Sequence, residues 1–235
     1  MMSEEKIVAL CCPFMERPTN HLLDALEKAV PVLNQHGWKD VFIQEMGCPY
    51  ISSARATLLR KALDSKAEVI VFLDYDLSFD PEDLLRLIEA PDEVNAGTYR
   101  YKKDEVQFMS SIYSDHEMRP LVRKDGLLKA ERVPAGFLKL KRIAVLKFMK
   151  AYPELLFGEP DHYSVDMFNH GAHKGVWYGE DYAFCRRWEE IDGDIWLLPN
   201  LNITHHSATN SYSGNFHEFL MEQPGGSKHC DVAHV

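Results

Sequence analysis

The sequence predicts an α/β fold, with a mainly parallel central sheet flanked by helices. Three observations point there. Through residues 1–90, short apolar segments alternate with stretches of helical periodicity. One of those segments, EVIVFL at 68–73, is almost continuously hydrophobic, as a strand covered on both faces must be. That strand then runs directly into two aspartates, Asp74 and Asp76, at the sheet edge where α/β proteins place their ligands.

The elements follow in order. Residues 7–11 are a short apolar run stopped by Cys12-Pro13, and read as a buried first strand. Asn20 caps a helix whose Leu22, Leu23, Leu26, Ala29 and Val30 fall on one face. Gly37 breaks the chain before a second strand at 41–44. Ser52 or Ser53 opens the next helix, with Ala56, Leu59, Ala62 and Leu63 inward. After the 68–73 strand, Asp80 suits an N-cap and Pro81 the first helical position, with Glu82 and Asp83 at the positive helix end. Beyond residue 90 the pattern loosens. A strand is expected at 94–99, a hairpin from 110–113 and 127–133, and helices at 138–150 and within 177–191. Two further strands are expected at 194–198 and 201–205. One domain spans 1–235, with a first half to about residue 105, a second half over about 106–222, and a flexible tail at 223–235.

Composition narrows the function. The chain has 235 residues and a formal net charge of -10, which disfavours a protein that coats nucleic acid by replacing counterions. Two basic clusters, Arg55, Arg60 and Lys61, then Arg100, Lys102 and Lys103, leave room for a local basic groove. The N-terminus lacks a signal-peptide pattern, and no run of 18 apolar residues exists to span a membrane. Five cysteines form no CxxC pair, which suits free thiols and a cytoplasmic location.

Three constellations carry chemistry. Asp74 and Asp76 offer hard oxygen ligands for Mg²⁺ or Mn²⁺, which would stabilise charge on a leaving diphosphate. Glu180 and Asp181 open a helix that buries Phe184, Cys185 and Trp188. A carboxylate there can take a proton from a hydroxyl, although capping the helix is the plainer use. His205 and His206 follow an apolar stretch, and either imidazole can ligate a metal. Trp177, Tyr178 and Trp188 read as core. Residues 207–219, rich in Ser, Asn and Gly, read as a lid. His229, Cys230 and His234 have metal-like spacing in a polar terminal segment, where a mobile tail is the simpler reading.

The ordered set ISSARATLLRKAL (51–63), VIVFLDYDLSFDPEDLLRLI (69–88), NAGTYRYKK (95–103), VPAGFLKLKR (133–142), GEDYAFCRRW (179–188) and LNITHHS (201–207) resembles the GT-A fold glycosyltransferases. The likeness is to the compact family-2-like enzymes of bacteria, large viruses and phages, and covers roughly residues 6–220. It implies a Rossmann-like nucleotide-sugar-binding half and a smaller acceptor half. Pro13 and Phe14 would border the base. Arg55 would contact base or phosphate, with Ala56 where the family has Asn. Asp74 and Tyr75 would lie along the donor, Asp74 facing ribose or metal, and Asp76 would be the direct metal ligand. Gly136 would line the donor or acceptor pocket. Asp181 would be the base with Glu180 its neighbour, and His205 would complete the metal site, with Ser207 replacing the usual Gly. The implied activity is metal-dependent transfer from a nucleoside-diphosphate sugar to a glycan, protein or small-molecule hydroxyl, or less readily to a modified nucleobase. The implied location is cytoplasmic, host cytoplasm for a viral protein. Rival readings are a nucleotidyltransferase of similar fold and a non-catalytic nucleotide-sugar or glycan binding module.

Overall fold

A computed structural model describes residues 6–223. The first half follows the expected alternation: β1 (Lys6–Phe14), α1 (Asn20–Gln35), β2 (Trp38–Met46), α2 (Ile51–Asp64) and β3 (Val69–Leu73). Next come β4 (Leu77–Phe79), α3 (Pro81–Glu89) and β5 (Val94–Ala96). The second half adds β6 (Ser111–Ile112), β7 (Leu128–Arg132), β8 (Phe137–Lys141) and α4 (Arg142–Ala151). Two small hairpins, β9 (Leu156–Phe157) with β10 (Ser164–Val165) and β11 (Gly171–His173) with β12 (Val176–Tyr178), lead to α5 (Glu180–Glu189). The last described elements are β13 (Ile195–Leu197), β14 (Asn202–His206), β15 (Ser211–Asn215) and α6 (Phe216–Glu222).

Eight strands form the central sheet in the order β2-β1-β3-β8-β5-β13-β7-β6. The pairings put six of them in one direction, with only β8 and β7 reversed. Strands from both halves of the chain therefore complete one sheet. β3 shows why its sequence is apolar throughout. Its residues are all fully or nearly buried, with Ile70 and Phe72 entering one core layer and Val69, Val71 and Leu73 the other. Burying a side chain of this size contributes roughly 1.5–3 kcal/mol. Leu22, Leu26, Ala29 and Leu33 of α1 and Leu84, Leu87 and Ile88 of α3 cover one face. Leu58 and Leu59 of α2, Phe148 of α4, and Phe184 and Trp188 of α5 cover the other. A separate three-stranded sheet, β15-β14-β4, sits at the end of β3 and carries the acidic turn.

Several expectations need correction. Thr19, not Asn20, caps α1, its side chain accepting from Leu22 N, and Leu23 is 42% exposed. α2 begins at Ile51 without a side-chain cap. The 138–150 stretch is not one helix: its start belongs to β8, inserted antiparallel between β3 and β5. Phe137 to Leu140 is buried throughout, with Lys139 breaking its apolar sequence, and Arg142 onward supplies apolar residues in helical register that hide the change. The helix expected within 177–191 starts at Glu180, because Lys174 and Gly175, both at positive φ, turn β11 back into β12. The core reading holds for Trp188, fully buried, and fails for Trp177, 70% exposed. The lid segment forms β15 and α6, capped by Asn215 through His217 N and Glu218 N. The expected tail, with His229, Cys230 and His234, lies outside the described residues save for Gln223.

Candidate active site

The site is built on the turn that joins β3 to β4, and neighbours pin its backbone on every side. Asp74 N donates to Gly136 O at 2.9 Å, and Thr19 gives both its N–H (3.0 Å) and its hydroxyl (2.8 Å) to Tyr75 O. His206 N donates to Asp76 O at 2.8 Å. The cap of α1, the loop before β8 and β14 thus hold one turn, and the two carboxylates leave it in fixed directions.

Asp74 faces inward. Its Oδ1 accepts from Arg55 Nη2 at 3.1 Å and its Oδ2 from the Tyr99 hydroxyl at 2.9 Å. Arg55 also reaches Ala135 O at 3.4 Å and lies 3.7 Å from Glu180. It is almost wholly buried, its guanidinium against the rings of Phe72 and Phe168. Burial opposes the Arg55 charge, but Asp74 and Glu180 outweigh that and push its pKa up. Gly136 closes the back of this network: a Cβ there would stand 2.1 Å from the Tyr99 hydroxyl and 2.2 Å from Asp74 Oδ2. The close approach at Gly136 is therefore to Asp74 and Tyr99.

Asp76 faces the other way. Pairing of β4 with β14 sets Leu77 against His205, and His205 Nε2 comes 3.6 Å from Asp76 Oδ1. His205 Nδ1 lies 2.8 Å from the Arg100 carbonyl, which can only accept. Nδ1 is therefore the donor to the Arg100 carbonyl, and Nε2 is the ring nitrogen left facing Asp76, the one a histidine held this way can offer to a metal. Lys102 Nζ donates to Asp76 Oδ2. Burial raises the Asp76 pKa, but His205 and Lys102 more than reverse this and hold the carboxyl below its usual range. His206 is engaged elsewhere: Ser78 Oγ at 2.7 Å, Ser211 Oγ at 2.8 Å, and the His21 ring stacked at 3.8 Å.

One hard oxygen and one oriented imidazole fit a divalent cation that takes its other ligands from substrate phosphate and water. Among the described residues no group of three or more His, Cys, Asp or Glu side chains forms a complete metal cage. Both Asp74 oxygens accept hydrogen bonds, from Arg55 and Tyr99, whereas Asp76 Oδ1 and His205 Nε2 face each other at 3.6 Å and could hold such an ion together.

The third wall is the first turn of α5. Asp181 accepts from Tyr182 N at 2.8 Å. Its pKa is raised to about 6 by burial first and by neighbouring Glu180 second. Beside it, burial first and neighbouring Tyr101 second push the Tyr182 hydroxyl's pKa up. A cavity of about 300 Å³ lies among these walls, bordered by Pro13, Phe14, Arg55, Asp74, Tyr75, Asp76, Glu180 and His205. Most members of the basic clusters are paired with carboxylates: Arg55 with Asp74, Arg60 with Asp64, Lys61 with Glu45, Lys102 with Asp76 and Lys103 with Glu105.

The backbone as a whole is similar to two solved glycosyltransferases. One is the catalytic domain of Drosophila β1,4-galactosyltransferase 7 in complex with xylobiose, at TM-score 0.50 and 15% identity, over 93% of this chain and 74% of that one. The other is GalNAc-T7 with UDP, GalNAc and Mn²⁺, at TM-score 0.51 and 11% identity, over 86% of this chain. The match spans 44% of GalNAc-T7, less than half its length. The chain has a GT-A glycosyltransferase fold. No protein-family model and no curated protein matches the sequence. Within this GT-A fold, the cavity lies beyond the end of β3, at the sheet edge where open α/β sheets bind ligands.

Sequence reasoning missed Tyr99 and Lys102 as site residues. Tyr99 read as the end of a strand, and Lys102 as one of a basic cluster. The available sign was an aromatic and a lysine closely following the glycine of NAGTYRYKK, where β5 leaves the sheet. Among the described residues no helix is long and apolar enough to cross a membrane.

Proposed function

We propose that this chain is a metal-dependent glycosyltransferase that moves a sugar from a nucleoside-diphosphate sugar to an acceptor hydroxyl, inverting the anomeric carbon. One observation carries the reading. In a GT-A fold, an oriented imidazole and a carboxylate line a cavity that Glu180 also borders, and next to Glu180 in the first turn of α5 stands Asp181, a carboxyl of raised pKa.

Pro13, Phe14 and the half-exposed ring of Tyr75 present apolar surface suited to a nucleobase. Asp76 and His205 hold the divalent cation, which when bound supplies Lewis-acid stabilisation of charge on the departing diphosphate. Arg55 is committed to Asp74 and Glu180 and acts by fixing those carboxylates. Asp181 takes the proton of the acceptor hydroxyl as its oxygen bonds to the anomeric carbon and the bond to the diphosphate breaks. Such a transition state is oxocarbenium-like. A carboxylate with a pKa near 6 is well matched to that task at neutral pH, being ionised yet basic. Glu180, 3.7 Å from Arg55, stands beside it. Trp177, exposed just ahead of Gly179, offers a flat apolar face for an acceptor sugar. A polyanionic acceptor is disfavoured by the net charge of -10 and by the pairing of the basic residues. A nucleotidyltransferase would need a glycine-rich phosphate loop after β1, and residues 13–19 contain no glycine.

Thermal-shift measurement with UDP, GDP, CDP, ADP and dTDP, each with and without Mn²⁺, tests the proposal. Binding to the native state alone raises stability by mass action. One nucleotide is expected to stabilise the protein only with the metal, and its sugar conjugate to be slowly hydrolysed. UDP comes first, as the nucleotide bound with Mn²⁺ in GalNAc-T7. No stabilisation by any of the five with Mn²⁺ would reject the reading.

A further inference from the structure

Four consecutive residues beyond β5 each end on a different group of the site. Tyr99 donates its hydroxyl to Asp74. The Arg100 carbonyl fixes the tautomer of His205. Tyr101 comes beside Tyr182, next to Asp181, and helps push the Tyr182 hydroxyl's pKa up. Lys102 donates its ammonium to Asp76. The backbone of this strap is anchored: Arg100 bridges Phe108, and Tyr101 N donates to Gln107 O at 3.0 Å. The Lys102 side chain is the loose part, 33% exposed on a four-carbon arm.

The position of that ammonium has a consequence. Asp76 shows Oδ1 to His205 and Oδ2 to Lys102. A cation held between Asp76 and His205 would share one carboxylate with a lysine, three positive charges facing one negative. A diphosphate changes the balance, because its oxygens can ligate the metal and accept from the ammonium. We propose that Lys102 is an internal counter-ion that keeps a free divalent cation off Asp76 and transfers to the diphosphate when metal and nucleotide arrive together. Lys102 is thus a positioning residue that couples the two binding events. The inference rests on the glycosyltransferase reading above, and deepens it by setting the order in which its ligands bind.

The test measures free Mn²⁺ by electron paramagnetic resonance over wild-type protein, Lys102→Met and Lys102→Arg. Each is titrated alone and with saturating UDP, GDP, CDP, ADP or dTDP. Lys102→Met is expected to bind Mn²⁺ alone about tenfold more tightly than wild type and to lose most of the nucleotide-dependent gain. Lys102→Arg, which keeps the charge, should behave as wild type, an outcome that a merely structural role for the chain would not give. Thermal melting of each variant verifies folding. If Lys102→Met binds Mn²⁺ alone no better than wild type while metal and nucleotide still bind together, the counter-ion role is overturned and the transferase reading stands. If no form binds Mn²⁺ with any nucleotide, both fall.

Discussion

Replacing Asp181 by Asn separates catalytic need from structural comfort. The carboxyl is half-buried beside Glu180, and its pKa is raised from an ordinary 3.8 to about 6. An acid whose folded pKa exceeds its unfolded one favours the native state fully below the unfolded value. That contribution is lost as pH rises through the folded value. At neutral pH the native protein therefore carries a strained charge. At about 1.4 kcal/mol per pH unit the ceiling on the strain is about 3 kcal/mol, and solvent around a half-buried group reduces it to about 1–2 kcal/mol. Asn keeps the shape and discards the charge, and can still accept from Tyr182 N. Urea unfolding should show Asp181→Asn more stable than wild type by about 1–2 kcal/mol at pH 7.5, with the advantage shrinking as pH falls below 6 and gone near pH 4. Transfer should be lost while nucleotide binding persists, and wild-type kcat/KM should rise with pH through about 6. A variant no more stable than wild type at pH 7.5 would refute the electrostatic argument, and one that transfers sugar normally would refute the base assignment.

Gly136→Ala places a methyl against Asp74 and Tyr99, and the enforced shift should cost about 1–3 kcal/mol by urea unfolding and weaken nucleotide binding. Arg55→Met leaves Asp74 and Glu180 without their shared cation, with an expected loss of about 3 kcal/mol. Arg55→Lys should recover little of it, since an ammonium cannot span two carboxylates and Ala135 O as a planar fork does; chemical denaturation checks both. Trp177→Ala removes an exposed ring, so melting temperature and donor affinity should hold while acceptor KM rises severalfold in initial-rate assays.

How much of this was readable in the residues depended on how locally each feature is encoded. β3 announced itself because a strand buried on both faces has no freedom to be polar, and the aspartates after it could be placed at the sheet edge for that reason alone. β8 could not be read, because Lys139 interrupts an apolar strand. Its ammonium is satisfied within the fold by Ala90 O at 2.8 Å, Asn95 Oδ1 at 3.1 Å and Asp92 O, partners that no local pattern reveals. The direction of Asp74 was hidden in the same way, since Tyr99 and Arg55 reach it from separate elements. Trp177 and Trp188 look alike in the string. Only the hairpin turn at Lys174-Gly175 puts one outside and leaves the other to α5 and the core.

The adjacent histidines illustrate how a strand resolves what a motif leaves open. Successive residues of β14 point to opposite faces of its sheet, so His205 and His206 cannot share a task. The register Leu77 to His205 turns the first ring onto Tyr99, at 4.9 Å between centroids, and toward Asp76. The second goes to His21, Ser78 and Ser211 on the far side. A slip of one residue would exchange the two faces and put the wrong imidazole at Asp76. The register is guarded from both ends. His206 N is bonded to Asp76 O, Asn202 N to Asp83 Oδ2 at 2.7 Å, and Ile203, fully buried opposite Phe79, would be driven into solvent by a shift. The placing of His205 beside Asp76 is thus specified by hydrophobic burial and backbone pairing in a small sheet. This is why a three-stranded appendage to the main sheet has to be as firmly built as the core it adjoins.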